Sequence, residues 1–181
     1  DHGDTLWYEY FSKNLWNPKY KVEDLYANFC RDRYGWQAAK MESIWRKVVP
    51  ISIGHGCGHL SMNILPYAPK VIDREKCFRT FPWRSCLNDA PGVFRALAEV
   101  EWQDEKVKRD TLDLARTVTD RLLYAVVSKV RVSLQAWRKG MVPAADVKKY
   151  LRATTALVDG LAATLALHSD YSLWESFVKM N

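Results

Sequence analysis

The chain has 181 residues, of which 48% are hydrophobic and 27% charged, a composition typical of one folded domain and not of a disordered segment. It contains no run of about 18 apolar residues, which excludes a transmembrane helix. The net charge of +6 raises the question of nucleic-acid binding, but the 27 Lys and Arg are interleaved with 21 Asp and Glu along the sequence. We therefore expect no phosphate-binding stripe and no nucleic-acid partner.

The first fifty residues predict three helices. The first runs from a capping Asp4 to about Trp16. The second begins near Val22, carries acidic residues in its first turn and ends at Gly35. The third stops before Pro50, because proline breaks a helix interior. Apolar residues three and four positions apart mark the buried faces of the last two helices: Val22, Leu25, Tyr26 and Phe29, then Met41, Ile44, Trp45 and Val48.

From Pro50 to Pro91 the pattern changes, and neither helical nor strand periodicity is sustained. Five of the seven Pro, three of the eight Gly and three of the four Cys lie in this stretch. A connection of this length inside a compact domain is usually a binding or otherwise functional loop. We therefore predict one long irregular loop over residues 50–91.

Helix resumes near Gly92 and continues to about Trp102. A long helix is predicted from Val107 to Lys139, and the next has Pro143 in its first turn. This later helix is predicted to end near His168, and a final helix is predicted to begin after Ser169 and Asp170. The predicted inward stripes are Leu112, Ala115, Val118, Leu122, Val126, Val130, Leu134 and Trp137 in the long helix, and Val147, Leu151, Leu157, Leu161 and Leu165 in the next.

No strand pattern occurs, so the predicted fold class is all-α, an antiparallel, bundle-like arrangement of helices within a single domain over residues 1–181. Both ends of the chain fall close to or inside apolar patterns, and the first residue is Asp1 rather than Met. We expect the chain to be part of a longer protein.

His55, Cys57 and His59 lie within five residues of one another and could ligate zinc. Their spacing is not one that closes a tetrahedral site, and no fourth ligand is evident. We favour a glycine-rich loop with local hydrogen bonds and predict neither a metal nor another cofactor.

The cysteines leave disulfides and free thiols both open. Cys57, Cys77 and Cys86 share the predicted loop, where one bridge would shorten a long connection, and Cys30 lies earlier. A catalytic Cys paired with His59 is allowed by composition, but nothing in the spacing positions the two. Four acidic residues near a helix end fit a solvated face better than a carboxylate pair for glycoside hydrolysis: Glu99, Glu101, Asp104 and Glu105.

Two segments and a third, weaker one resemble a known enzyme family. Residues 109–116, RDTLDLAR, resemble the D-x-L-D-L-x-R signature in the helical C-terminal region of the α-N-acetylglucosaminidases, glycoside hydrolase family 89. Residues 22–35, which end in RYG, and residues 45–49, WRKVV, are similar to the family's sequence after its catalytic barrel. Trp16 and residues 165–174 also match in order and spacing.

The resemblance implies a helical domain that packs on a (β/α)₈-type barrel and helps to form the sugar pocket. Such enzymes remove terminal α-linked N-acetylglucosamine with retention and use two glutamates of the barrel. Both glutamates would lie upstream of Asp1, so this chain alone carries no catalytic residue. The resemblance also implies a lysosomal or secreted protein, or a periplasmic one in a bacterium.

One pair of substrate-binding residues follows from the resemblance. Trp83 falls at the Trp of the family's W-Y pair, and Arg84 stands where the family has Tyr. A Trp face can stack on a sugar ring, and an Arg would suit an anionic or sulfated neighbouring sugar. We expect Asp110 and Asp113 to be structural, one as a helix cap and the other paired with Arg116.

A non-catalytic alternative remains open at this stage. The same helices could form a scaffold or protein-interaction module without a barrel, with the aromatic-rich ends of the chain as partner surfaces. Barrel sequence upstream of residue 1 would separate the two hypotheses.

Overall fold

The computed structural model describes residues 4–53 and 83–172. These residues form an all-α fold, with no strand in either range. The α-helices are α1 (Asp4–Trp16), α2 (Val22–Tyr34), α3 (Ala38–Ile53), α4 (Trp83–Ala98), α5 (Glu105–Arg138) and α6 (Ala144–Leu165), with 3₁₀ turns at Gly35–Gln37 and Ser169–Tyr171. None of the described helices combines the length and apolar character needed to cross a bilayer.

One hydrophobic cluster joins α1 to α5. Leu6 of α1 and Phe29 of α2 are buried with the inward residues of α3, α4 and α5. Tyr34, Met41 and Val107 have no exposed surface at all. The predicted stripe of α2 and α3 is therefore confirmed for all but Val22 and Tyr26: Leu25, Phe29, Met41, Ile44, Trp45 and Val48 are buried.

The prediction that α3 stops before Pro50 is wrong, because the helix continues to Ile53 with Pro50 inside it. A proline leaves the carbonyl four residues earlier without its helical partner, here that of Arg46. Both Pro50 and Arg46 are exposed, so water can reach this part of the helix surface. Val49 and Ile51 on either side are buried in the core, and their burial favours continuing the helix.

The predicted C-terminal end of the loop is also wrong. Helix α4 begins at Trp83, not near Gly92, and contains Pro91. It ends at Ala98, earlier than the expected Trp102. The buried residues are three to four apart on either side of the exposed proline, namely Ala90, Val93 and Leu97, so core packing again outweighs the proline. The middle of the predicted loop, residues 54–82, lies outside the described residues.

Helices α5 and α6 form an antiparallel hairpin around a tight turn. The N–H of Gly140 donates to the carbonyl of Trp137 (2.8 Å), and the N–H of Met141 donates to that of Ala136 (2.9 Å). Together with the positive φ of 71° at Gly140, these bonds define a Schellman motif. Pro143 is the residue just before α6, one position earlier than predicted.

Burial in the hairpin is confined to the first part of each helix. All buried residues of α5 lie between Val107 and Ser128, and the buried residue of α6, Val147, lies near its start, close to the turn. Trp137 was predicted to point inward but is 46% exposed, in the part of α5 that contributes no buried residue. Leu151 is 48% exposed, since Tyr150 rather than Leu151 follows Val147 on the packed face.

The link between α4 and α5 is held by side chains from elsewhere. Gln37 donates from Nε2 to the carbonyl of Glu101 (2.7 Å) and accepts from the N–H of the same residue (2.9 Å). Asp104 Oδ1 then accepts from the N–H of Val107 (2.8 Å) and caps α5. The predicted cap at Asp110 or Asp113 is therefore wrong, because α5 begins at Glu105 and leaves both within the helix.

Alanine substitutions at two glycines should change the free energy of unfolding in opposite directions. Gly160 lies inside α6 with open space where a Cβ would stand, so Gly160→Ala should raise the free energy of unfolding by about 1 kcal/mol. Gly140→Ala also meets no clash, but its positive φ should cost about 1 kcal/mol. Urea unfolding of both variants measures these changes. A stability change in the same direction for both would contradict the assigned turn.

Candidate functional site

The Asp110 carboxylate of α5 joins three helices. Arg33 of α2 donates from Nε to Oδ2 and from Nη2 to Oδ1, the second bond at 2.8 Å. The hydroxyl of Tyr34 donates to Oδ2 (3.0 Å), and Trp45 Nε1 of α3 donates to that hydroxyl (3.0 Å). Tyr34, Trp45 and Asp110 are all buried. We call these four residues the Asp110 network.

The electrostatics keep Tyr34 and Arg33 each in one protonation state. Burial, followed by the charge of Asp110, raises the pKa of Tyr34 well above its ordinary value. The hydroxyl therefore stays protonated and remains a donor. Burial alone would lower the pKa of Arg33, but the hydrogen bond and charge of Asp110 outweigh it, so the pKa is raised and the guanidinium stays charged.

Asp113 makes a second, separate set of contacts one turn along α5. Its Oδ1 accepts from Arg116 Nε (2.9 Å) and lies 2.8 Å from Arg116 Nη2, so the predicted pairing with Arg116 is confirmed. Tyr171 reaches the same oxygen from the last 3₁₀ turn at 3.5 Å. Burial, with the charge of Asp113, raises the pKa of Tyr171 to about 12.

A cleft of about 250 Å³ lies at the start of α5. His168 is held there with its Nδ1 accepting the N–H of Asp170 (3.1 Å) and its Nε2 3.4 Å from a carboxylate oxygen of Glu105. The lining also holds the Arg109–Asp170 pair (3.4 Å), and the full set is Arg33, Glu105, Lys106, Arg109, Asp110, His168 and Asp170.

This cleft fits a structural role better than a catalytic one. Asp110 and Asp170 already have guanidinium partners, and no Ser, Thr or Cys hydroxyl or thiol lines it. His168 could act as an acid or base only after giving up a contact that fixes its ring. The arrangement ties the C-terminal turn to α5 and offers no reacting pair of carboxylates.

Sequence reasoning missed Arg33, Tyr34 and His168 as partners of the acidic residues in α5. Asp110 is 77 positions from Arg33, and no local spacing predicts a contact of that range. The one available signal was the resemblance, which picked out residues 22–35 and 109–116 separately.

Both proposed sugar-binding residues start α4. Trp83 is the first residue of the helix and Arg84 the second, so they are helical and not part of an irregular loop. Their side chains lie outside the described residues. So do the run from His55 to His59 and the thiols of Cys57, Cys77 and Cys86. The acidic residues Glu99, Glu101, Asp104 and Glu105 are exposed, as expected for a solvated face.

Cys30 is a free thiol with no exposed surface. Burial, followed by the charge of Glu42, raises the pKa of this thiol to about 12. A buried thiol that resists ionisation is a poor nucleophile, so Cys30 belongs to the core. Residues 4–53 and 83–172 contain no cluster of three or more His, Cys, Asp or Glu arranged to hold a metal ion.

Comparison with known proteins gives no independent relationship: no protein-family model, curated protein or solved structure matches the chain.

The Asp110 network gives a stability prediction. Asp110→Asn should lower the free energy of unfolding by about 3 kcal/mol or more, because it leaves the half-buried Arg33 without its counter-ion. Asp32→Asn is the matched control, since its pair with Arg31 is largely exposed and worth about 0.5 kcal/mol or less. Chemical denaturation measures both, and equal losses would contradict the network.

Cys30 gives a pH prediction. Its pKa is raised from 9.0 to about 12, so the folded state binds the proton more tightly than the unfolded state does. This contribution to stability is fully present below pH 9 and is lost as the pH rises towards 12. Cys30→Ala should lower overall stability yet reduce the fall in unfolding free energy between about pH 9 and 10. An unchanged slope would refute the assignment.

Proposed function

We propose that the chain is the helical region of a retaining glycoside hydrolase resembling the α-N-acetylglucosaminidases. In this role it supports a catalytic barrel of the same protein and contributes to the pocket for terminal α-linked N-acetylglucosamine. The barrel supplies both catalytic glutamates, so the residues described here bind and position and do not carry out bond cleavage.

The observation that carries the proposal is that the two main segments of the resemblance meet in space. Residues 22–35 supply Arg33 and Tyr34, and residues 109–116 supply Asp110, to which both donate. Trp45, from the neighbouring WRKVV segment, completes the same network. Their contact gives the two segments one shared structural role, as a common origin in the helical region of such a protein would require.

The surface of α1 fits the role of a domain that packs on another. Tyr8, Phe11, Leu15 and Trp16 are between 60% and 92% exposed, although all four are large and apolar. Exposed apolar side chains concentrated on one short helix indicate a contact surface. In the proposed protein this surface meets the barrel, whose sequence would precede Asp1.

The alternative function is a non-catalytic helical scaffold, which would use the same α1 surface. Without a barrel, these aromatic side chains would bind a separate protein partner. The glycosidase proposal implies that the protein is lysosomal or secreted, or periplasmic in a bacterium.

Substrate contact is assigned to Trp83 and Arg84 at the start of α4. The test is hydrolysis of 4-nitrophenyl N-acetyl-α-glucosaminide by the full-length protein. Trp83→Ala should lower kcat/KM about tenfold through loss of stacking on the sugar. Trp36→Ala is the matched control, because Trp36 is 68% exposed on a 3₁₀ turn and has no assigned role in substrate binding.

The outcomes separate the proposals. No hydrolysis by the full-length protein would leave the scaffold function, whereas hydrolysis that Trp83→Ala leaves intact would remove Trp83 from the pocket. Arg84→Tyr provides a further comparison within the same assay. If Arg84 recognises a neighbouring sulfate, the variant loses its preference for sulfated over unsulfated substrates, and equal rates before and after the change would dismiss that role.

A further inference from the structure

The net positive charge of the chain is concentrated in one place. Residues 129–152 contain seven of the 27 Lys and Arg but only one of the 21 Asp and Glu. This stretch therefore carries a net charge of +6, the whole excess of the protein. It spans the end of α5, the turn and the start of α6. We call it the hairpin tip, and it corrects the expectation that the basic residues are evenly interleaved.

These cations are available to a ligand. Six of them are exposed and have no carboxylate partner among the described residues: Lys129, Arg138, Lys139, Lys148, Lys149 and Arg152. Elsewhere on the molecule, by contrast, basic side chains such as Arg33, Arg46 and Arg116 are paired with acids. Unpaired like charges repel each other, so the hairpin tip stores electrostatic energy that a polyanion would relieve.

Apolar side chains stand exposed among these cations. The Schellman motif places Met141 where an apolar residue usually packs back on the last turn of the helix. Here Met141 is 72% exposed instead. Trp137 and Val132 are 46% and 56% exposed on the same end of α5.

Among residues 129–152 of the hairpin tip, Val147 at the start of α6 is the one buried residue. Helix α5 has 34 residues and no buried residue after Ser128. The ten remaining residues span about 15 Å. A surface of this shape can approach an extended target without disturbing the core.

We propose that the hairpin tip docks on the surface of an anionic lipid bilayer. Negative headgroups would neutralise the exposed cations, and the interfacial region would receive Met141 and Trp137. A soluble polyanion such as a nucleic acid or a sulfated glycan would satisfy the charges and can stack on Trp137, but it would leave Met141 and Val132 in water. That difference favours the bilayer, and no spanning helix is needed for peripheral docking.

This inference stands apart from the proposed glycosidase. It uses neither α1, Trp83 nor the Asp110 network, so either proposal can fail alone.

The experiment is co-sedimentation of the full-length protein with phosphatidylcholine vesicles that contain or lack phosphatidylserine. Binding should require phosphatidylserine and weaken as salt rises. Arg138→Gln with Lys139→Gln should lower the partition coefficient about thirtyfold, on the order of fivefold for each neutralised charge. The matched control is Lys19→Gln with Lys47→Gln, which removes two exposed charges elsewhere and should bind like the wild type.

A second variant tests the apolar part. Met141→Ser keeps all charges and changes a side chain that is mostly exposed, so the fold should be retained. It should weaken vesicle binding severalfold while leaving heparin binding unchanged. The proposal is overturned if the protein does not bind phosphatidylserine vesicles, if it binds heparin or RNA but not vesicles, or if the two double variants bind vesicles equally.

Discussion

The buried carboxylate of Asp110 is the constraint on which the arrangement of the helices depends. A charge in the protein interior is stable only if it is fully paired, and Asp110 obtains Arg33 and Tyr34 from α2, with Trp45 of α3 behind the tyrosine. Those contacts fix where α5 crosses the first helices. They also place the beginning of α5, and with it the cleft that receives His168 and Asp170. Losing any one partner would leave a charge or polar group buried without its match, so the network penalises other packings of these helices.

The helices of this fold follow largely from residue patterns, and the departures have physical causes. The start and end of α2 agree with the acidic first turn and the glycine that predict them, and the ends of α5 lie within two residues of those its periodicity predicts, although its cap was assigned to the wrong residue. Pro50 and Pro91 misled the prediction of both loop ends because the buried residues beside them outweigh one missing hydrogen bond. The contacts of the candidate site were harder to predict from the sequence. Pairing of Asp113 with Arg116 is local and was predicted, whereas Asp110 finds its partner 77 positions away.

The two parts of helix α5 lie in different environments, although the helix is continuous. Its first part, up to Ser128, contains all of its buried residues, and its last ten residues contain none. The apolar spacing is similar in both parts, which is why Trp137 was predicted to be buried. What distinguishes them in the sequence is charge: beyond Ser128 the acidic residues almost disappear. Charge composition along a helix therefore marks the limit of a core that hydrophobic periodicity alone does not reveal.

The double hydrogen bond of Gln37 to Glu101 has a consequence for how this molecule can vary. The side-chain amide of Gln37 uses one of its two N–H donors and its carbonyl acceptor, in the pattern of a peptide group, and it engages only main-chain atoms of its partner. The link between α4 and α5 is thus held much as a neighbouring strand would hold it, without any requirement on the identity of residue 101. Position 101 is consequently free to change its side chain through evolution, whereas position 37 is confined to a residue with the reach and both polar atoms of glutamine.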